Sequence, residues 1–122
     1  MKTRSFRDLQ VWQRSMALAR DVYRLTETFP KSQMFALTSQ MQRNSLSVPS
    51  NIAEGHGRTT ENSFALFLSQ ARGSLNELET QVELAQTLRF ATPERCLPVL
   101  QEIREVGRML NGLLTAVRHR DR

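Results

Sequence analysis

The chain has 122 residues, enough for one domain with a single core, and its 39% hydrophobic content argues against disorder. No apolar run approaches the ~20 residues of a membrane span, and the N-terminal residues lack the apolar stretch of a secretory signal. The single cysteine, Cys96, excludes an internal disulfide. Lysine and arginine number 17 against 12 acidic residues, so a formal charge of +5 permits nucleic-acid binding without requiring it. We therefore expect one cytoplasmic domain.

Three short breaks divide the chain into four segments of helical periodicity, and no segment has the alternating pattern of a strand. The breaks are Phe29-Pro30, Gly55-His56-Gly57 and Thr92-Pro93. Because short connections place consecutive helices side by side, the sequence predicts an all-α, antiparallel up-down-up-down four-helix bundle over residues 1–122. The predicted helices span about residues 7–28, 32–54, 60–89 and 94–118.

The first helix has an apolar arc of about 200°, wider than the outer helix of an isolated bundle needs. One apolar series has coiled-coil-like spacing and comprises Leu9, Trp12, Met16, Ala19 and Tyr23. The extra width of this apolar arc predicts that part of it is buried against a second copy of the chain. The predicted subunit interface combines the other series of this helix with a ridge on the fourth helix: Val11, Leu18, Val22, Leu25, Val99, Val106 and Leu113.

The second helix has an apolar phase that continues across Pro49, from Met34 and Leu37 to Ile52. This pattern allows two interpretations. Either the helix is continuous and kinked, which we favour, or it breaks near Ser47 and Pro49 opens a new helix. Gly55 or Gly57 would then provide a left-handed cap.

The third helix has the clearest pattern, with Thr60 as the predicted N-cap. Its apolar seam runs over three heptads and comprises Phe64, Leu68, Ala71, Leu75, Leu78, Val82 and Ala85. Gly73 lies roughly opposite this seam, either because another helix approaches closely or because a surface glycine is tolerated.

Arginine accounts for 15 of the 17 cations, and its planar fork suits phosphates. Arg104 and Arg108 lie one turn apart on the polar side of the fourth helix, and a second cluster on the first helix comprises Arg14, Arg20 and Arg24. These five residues are the candidate nucleic-acid contacts. The alternative is that they solubilise the surface or pair with acidic residues such as Glu105.

The sequence contains no recognisable set of catalytic or metal-binding residues. His56 and His119 lack metal-site spacing, and the glycines beside His56 are not followed by the Lys-Ser/Thr of a phosphate loop. Cys96 is best interpreted as a small buried hydrophobe. We therefore expect no enzyme activity, cofactor, metal, small-molecule substrate or membrane partner.

Several strings resemble one bacterial family. They include Phe6-x-x-Leu9-x-Val11-Trp12-Gln13, Ser47-Val48-Pro49-Ser50-Asn51-Ile52-Ala53-Glu54-Gly55 and Gly73-Ser74-Leu75-x-Glu77-Leu78-Glu79. On these strings the chain resembles the 23S rRNA intervening-sequence proteins, four-helix bundles once called ribosomal proteins. The resemblance covers residues 6 to 90 densely.

The resemblance also extends to a related branch, the accessory variability proteins of diversity-generating retroelements. It implies a ring-shaped homopentamer whose basic surface engages RNA, DNA or a reverse transcriptase. We thus expect a non-enzymatic homo-oligomeric scaffold that binds nucleic acid or a nucleic-acid enzyme through arginines. The alternative is an oligomeric protein–protein interaction module with no nucleic-acid role.

Overall fold

The computed structural model describes residues 5–120, which form four α-helices and no strand. The helices are α1 (Gln10–Thr26), α2 (Ser39–His56), α3 (Glu61–Thr87) and α4 (Pro93–Arg120). A short 3-10 turn, Phe6–Asp8, precedes α1. The all-α prediction is confirmed, and three of the four helices begin and end within about three residues of their predicted bounds.

The second helix begins later than its apolar pattern predicts. The segment predicted as its first two turns forms a 3-10 turn, Lys31–Gln33, and a π-helical turn, Met34–Thr38. Ala36 has non-helical backbone angles (φ −127°, ψ −109°), so the connection does not continue smoothly into α2. Met34 is exposed and Leu37 only partly buried, which removes both from the helical seam.

The α2 helix passes through Pro49 without interruption, so the continuous helix is correct and the broken helix is wrong. Polar side chains surround this position. The Asn51 side-chain amide donates to the Ser47 carbonyl at 2.8 Å and to its hydroxyl at 2.9 Å. The Ser47 hydroxyl in turn lies 2.8 Å from that of Ser74, which ties α2 to α3 beside the proline.

The predicted left-handed cap at the end of α2 is wrong, because neither Gly55 nor Gly57 has a positive φ. Gly55 is instead required by packing. A Cβ at this position would lie 2.7 Å from the Phe67 Cβ and 3.0 Å from the Phe64 ring. The glycine thus allows α3 to approach the backbone of α2. Gly73, in contrast, has no atom within 4 Å of a built Cβ, so the surface interpretation is correct there.

Both ends of α3 have recognisable caps. The Thr60 hydroxyl accepts from the Ser63 N–H at 3.1 Å, which confirms the predicted N-cap. At the other end, the Phe90 N–H donates to the Ala85 carbonyl at 2.9 Å, the long-range bond of a Schellman motif. Arg89 occupies the left-handed position of this motif with φ 63°, and no other non-glycine residue among 5–120 has a positive φ.

One apolar core draws on all four helices, with Leu18, Met41, Leu68 and Leu110 among its fully buried members. Contacts between α3 and α4 join Glu79 to Arg104 and Arg72 to Asn111, so residue numbers rise along one helix as they fall along the other.

Two connections meet at the same end of the protein. The Phe29 and Phe90 rings lie 5.7 Å apart, so the connection between α1 and α2 contacts the connection between α3 and α4. The C-termini of α1 and α3 and the N-terminus of α4 are therefore neighbours.

The two glycines give opposite predictions for the same substitution. Gly55→Ala forces a Cβ against Phe67 and Phe64, and we expect a loss of about 1–3 kcal/mol in the free energy of unfolding. Gly73→Ala meets no neighbour inside a helix and should gain about 0.5–1 kcal/mol. Urea denaturation monitored by circular dichroism measures both. Equal effects would contradict the close-approach explanation.

Candidate nucleic-acid interface

Two of the candidate arginines, from different helices, meet around a pair of carboxylates on α4. Arg14 on α1 forks onto Glu102, with Nε 2.7 Å from Oε1 and Nη2 2.9 Å from Oε2. Arg108 donates from Nε to Glu105 Oε2 at 3.1 Å and from Nη2 to Oε1. Two cations and two anions thus form a locally neutral cluster, which includes a bidentate Arg–carboxylate pair between α1 and α4.

Pairing shifts the pKa of several groups in this cluster. The hydrogen bond from Arg108 lowers the pKa of the Glu105 carboxyl, and the nearby Arg14 charge lowers it further. The bond to Glu102 raises the pKa of Arg14. Because the arginine side chains are solvent-exposed, these pairs contribute little to stability.

Two of the remaining three candidates are also paired. Arg104 Nε lies 3.3 Å from Glu79 Oε2 on α3, and Arg20 Nε lies 3.4 Å from its neighbour Asp21. Arg24 has no ion pair in the described part of the chain, and its backbone carbonyl accepts from Arg95 Nη2 at 3.2 Å. The alternative interpretation, pairing with acidic residues, thus describes the geometry of four of the five.

The predicted subunit interface is corrected by the structure. Six of its seven residues are buried inside a single chain, and the seventh, Leu113, is partly buried against the core. The six are Val11, Leu18, Val22, Leu25, Val99 and Val106. Of the two apolar series on α1, this one faces the core of the subunit. A side chain already buried there is unavailable to another chain.

The other series on α1 is the more exposed one. Met16 is 46% exposed and Tyr23 38%, while Leu46 on α2 is 47% exposed. A hydrogen bond of 3.1 Å from Gln42 to Thr26 fixes where the two helices meet, and Tyr23 and Leu46 each lie about one turn from it in the same direction.

The exposed apolar surface continues into the connection that follows α1. Tyr23 and Met34 line a common cavity of about 430 Å³, and Met34 is followed by Phe35, which is 94% exposed. We call this surface the apolar band and define it as Met16, Tyr23, Met34, Phe35 and Leu46.

Sequence reasoning missed two cations, Arg89 and Arg95, that line a cavity of about 570 Å³ between α3 and α4. The sequence does contain a signal for Arg89, because this arginine stands just after the end of α3, at a position where glycine is usually preferred. The cavity itself leaves no signal in the sequence because it forms where two connections meet.

The rest of the described chain offers little reactive chemistry. Cys96 is buried, and desolvation raises the pKa of its thiol, as expected for a packed side chain. Within residues 5–120, no cluster of three or more histidine, cysteine or acidic side chains is placed to hold a metal ion. None of the helices in this range is long and apolar enough to cross a membrane.

These features define a helical protein that has exposed arginines on its surface and no recognised set of catalytic residues among the described ones. A sequence model of the 23S rRNA-intervening sequence protein family matches residues 7–112, and the chain belongs to this family. A solved structure from Bacteroides thetaiotaomicron, described as a protein with unknown function from the S23 ribosomal protein family, has the same fold. It matches with a TM-score of 0.80 and 23% identity over 86% of this chain and 95% of its own. No curated protein matches the chain.

The arginine–carboxylate cluster makes a pH prediction. Since the pKa of Glu105 is lowered on folding, its pair with Arg108 stabilises the protein above the ordinary value of 4.5, and this contribution is lost as pH falls through the lowered value. Arg108→Gln should move the Glu105 midpoint up towards 4.5. A carboxyl NMR titration measures it. Arg118→Gln, near the end of α4, should leave the midpoint unchanged, and an equal shift in both variants would contradict the local pairing.

Proposed function

We propose that the protein is a non-enzymatic, homo-oligomeric scaffold that binds nucleic acid or a nucleic-acid enzyme through arginines. Its subunit is an up-down-up-down bundle, and five subunits form a ring. The apolar band is the observation that carries this proposal. Five large apolar side chains exposed on α1, α2 and the connection between them are unusual on a soluble monomer and are typical of a surface that another protein covers.

A second copy of the chain is the proposed cover of the apolar band. Self-association through two different surfaces of one subunit generates a ring when the rotation closes. Five copies is the number implied by the resemblance to the retroelement accessory proteins. The core residues first assigned to the interface are not part of this proposal, since the apolar band takes their place.

The proposed nucleic-acid contacts are arginines on the α1 and α4 surface, with Arg24 free of any described ion pair. Arg14, Arg20, Arg104 and Arg108 would have to exchange a carboxylate for a phosphate. Both partners suit the same planar fork, and the pairs are exposed, so the exchange costs little. A ring repeats the surface in every subunit and multiplies a weak contact.

The same ion pairs favour a second candidate function, an oligomeric module for protein partners with no nucleic-acid role. In that case the paired arginines serve solubility and helix packing. Salt-dependent binding of RNA or DNA distinguishes the two functions, because counterion release accompanies only phosphate contacts.

The first test of the proposal is the size of the particle in solution. Light scattering at micromolar concentration should give about five times the 14.0 kDa chain mass. Met16→Glu combined with Leu46→Glu places charge in the apolar band and should reduce the mass towards the monomer. Gln10→Glu, on an exposed polar position of α1, serves as the matched control. A wild-type mass of 14.0 kDa would refute self-association.

The second test is binding to a short RNA and a short duplex DNA over a salt series, followed by fluorescence anisotropy. Arg104→Gln with Arg108→Gln should weaken binding and flatten the log–log salt slope by about 0.9 per lost phosphate on duplex, or about 0.7 on single strands. Glu79→Gln with Glu105→Gln frees the same arginines and should strengthen binding. Absence of binding at low salt would favour the protein-interaction module.

A further inference from the structure

The structure contains a second cationic feature, separate from the arginine surface already described. A cavity of about 570 Å³ opens where the α3–α4 connection meets the end of α1, within the 300–1,000 Å³ of typical ligand sites. Arg89 and Arg95 line it, and no carboxylate does. Another cavity, of about 430 Å³, has one acid, Glu27, and one lysine, Lys31, in its lining.

Apolar and hydrogen-bonding groups share the wall of the first cavity. Phe90, Ala91 and Pro93 supply carbon surface, and the Phe90 ring is held in place by Phe29 at 5.7 Å. An aromatic wall fixed by a second ring offers a flat surface on which a planar group can stack.

Three threonines also line this cavity, and the hydroxyl of each already has a local partner. The Thr28 and Thr87 hydroxyls donate to the carbonyls of Leu25 and Glu83, at 3.0 and 3.1 Å. Thr92 accepts from the Arg95 N–H at 3.3 Å. The donating hydroxyls of Thr28 and Thr87 retain lone pairs, so they can accept from the edge of a bound planar group.

The position of Arg89 indicates that its cation is used. It occupies the left-handed position at the end of α3, a backbone conformation that strains an L-residue and that glycine adopts freely. Its side chain lines the cavity and has no ion pair in the described part of the chain. A cation is thus held beside an apolar cavity at a position where glycine would be more stable.

We propose that this cavity binds a nucleotide, with the base against Phe90 and the phosphate on Arg89 and Arg95. A planar ring with polar edges, joined to a phosphate, matches an aromatic wall, hydroxyl acceptors and two guanidinium groups without a competing acid. The proposal rests on the nucleic-acid function above for its main source of nucleotides, a single strand. A free nucleotide has the same chemistry.

The test uses adenosine 5′-monophosphate as the probe in calorimetric titration of the intact protein. Arg89→Gly should lower the affinity at least about tenfold, the loss expected when a charged hydrogen bond to phosphate is removed. The same substitution should raise the midpoint of urea denaturation, because glycine relieves the positive φ. Weaker binding by a more stable protein cannot result from misfolding.

Two further variants complete the design. Arg95→Gln should weaken binding to a similar extent, and Arg118→Gln removes a charge at the far end of α4 and should leave the affinity unchanged. The inference is overturned if the probe does not bind, or if Arg89→Gly and Arg118→Gln bind it alike.

A short single-stranded RNA separates the two sources of nucleotide. If strands occupy the cavity, the RNA displaces the probe and its own affinity falls in Arg89→Gly. If free nucleotides occupy it, the probe binds and the RNA does not displace it; both results support the site. Failure of all RNA binding while the probe still binds refutes the proposed function and leaves the cavity site intact.

Discussion

The close approach of α2 and α3 at Gly55 is the constraint on which the rest of the bundle depends. A side chain there would meet Phe67 and Phe64, so the two backbones can lie this near only because the position has no Cβ. The contact brings the end of α2 onto the start of α3, and the hydroxyls of Ser47 and Ser74 join the same helices two turns further on. With this pair fixed, α1 and α4 pack around it.

Carboxylates pair with four of the five arginines expected to be available for a ligand, two of them across helices. Arg14 reaches a carboxylate on α4, and Arg104 reaches one on α3. Each pair contributes little energy when exposed, but the pairs neutralise the sides of the bundle. The arginine content of the sequence therefore overstates the positive potential between the helices.

Periodicity predicted the buried face correctly where one helix has a single apolar stripe. It failed where packing against neighbouring helices decides which of two apolar series is buried. Every member of the predicted α3 seam, from Phe64 to Ala85, is buried, because one apolar stripe leaves one orientation open. On α1 there are two apolar series, and only packing against α2 and α4 decides that Val22 is buried and Tyr23 exposed. The partner of Arg14, Glu102, lies 88 residues away in the chain, so no local sequence pattern could predict this ion pair.

Part of the remaining positive charge lies at the end of the bundle that also carries Glu27 and Glu94. Arg24, Arg89 and Arg95 lie at the end where the two connections meet, and none has an ion pair in the described residues. In an assembly, such an end recurs once per subunit, so a modest charge on each chain becomes a repeated array of cations. The proposed binding of an anionic partner therefore rests on the end of the bundle more than on its sides.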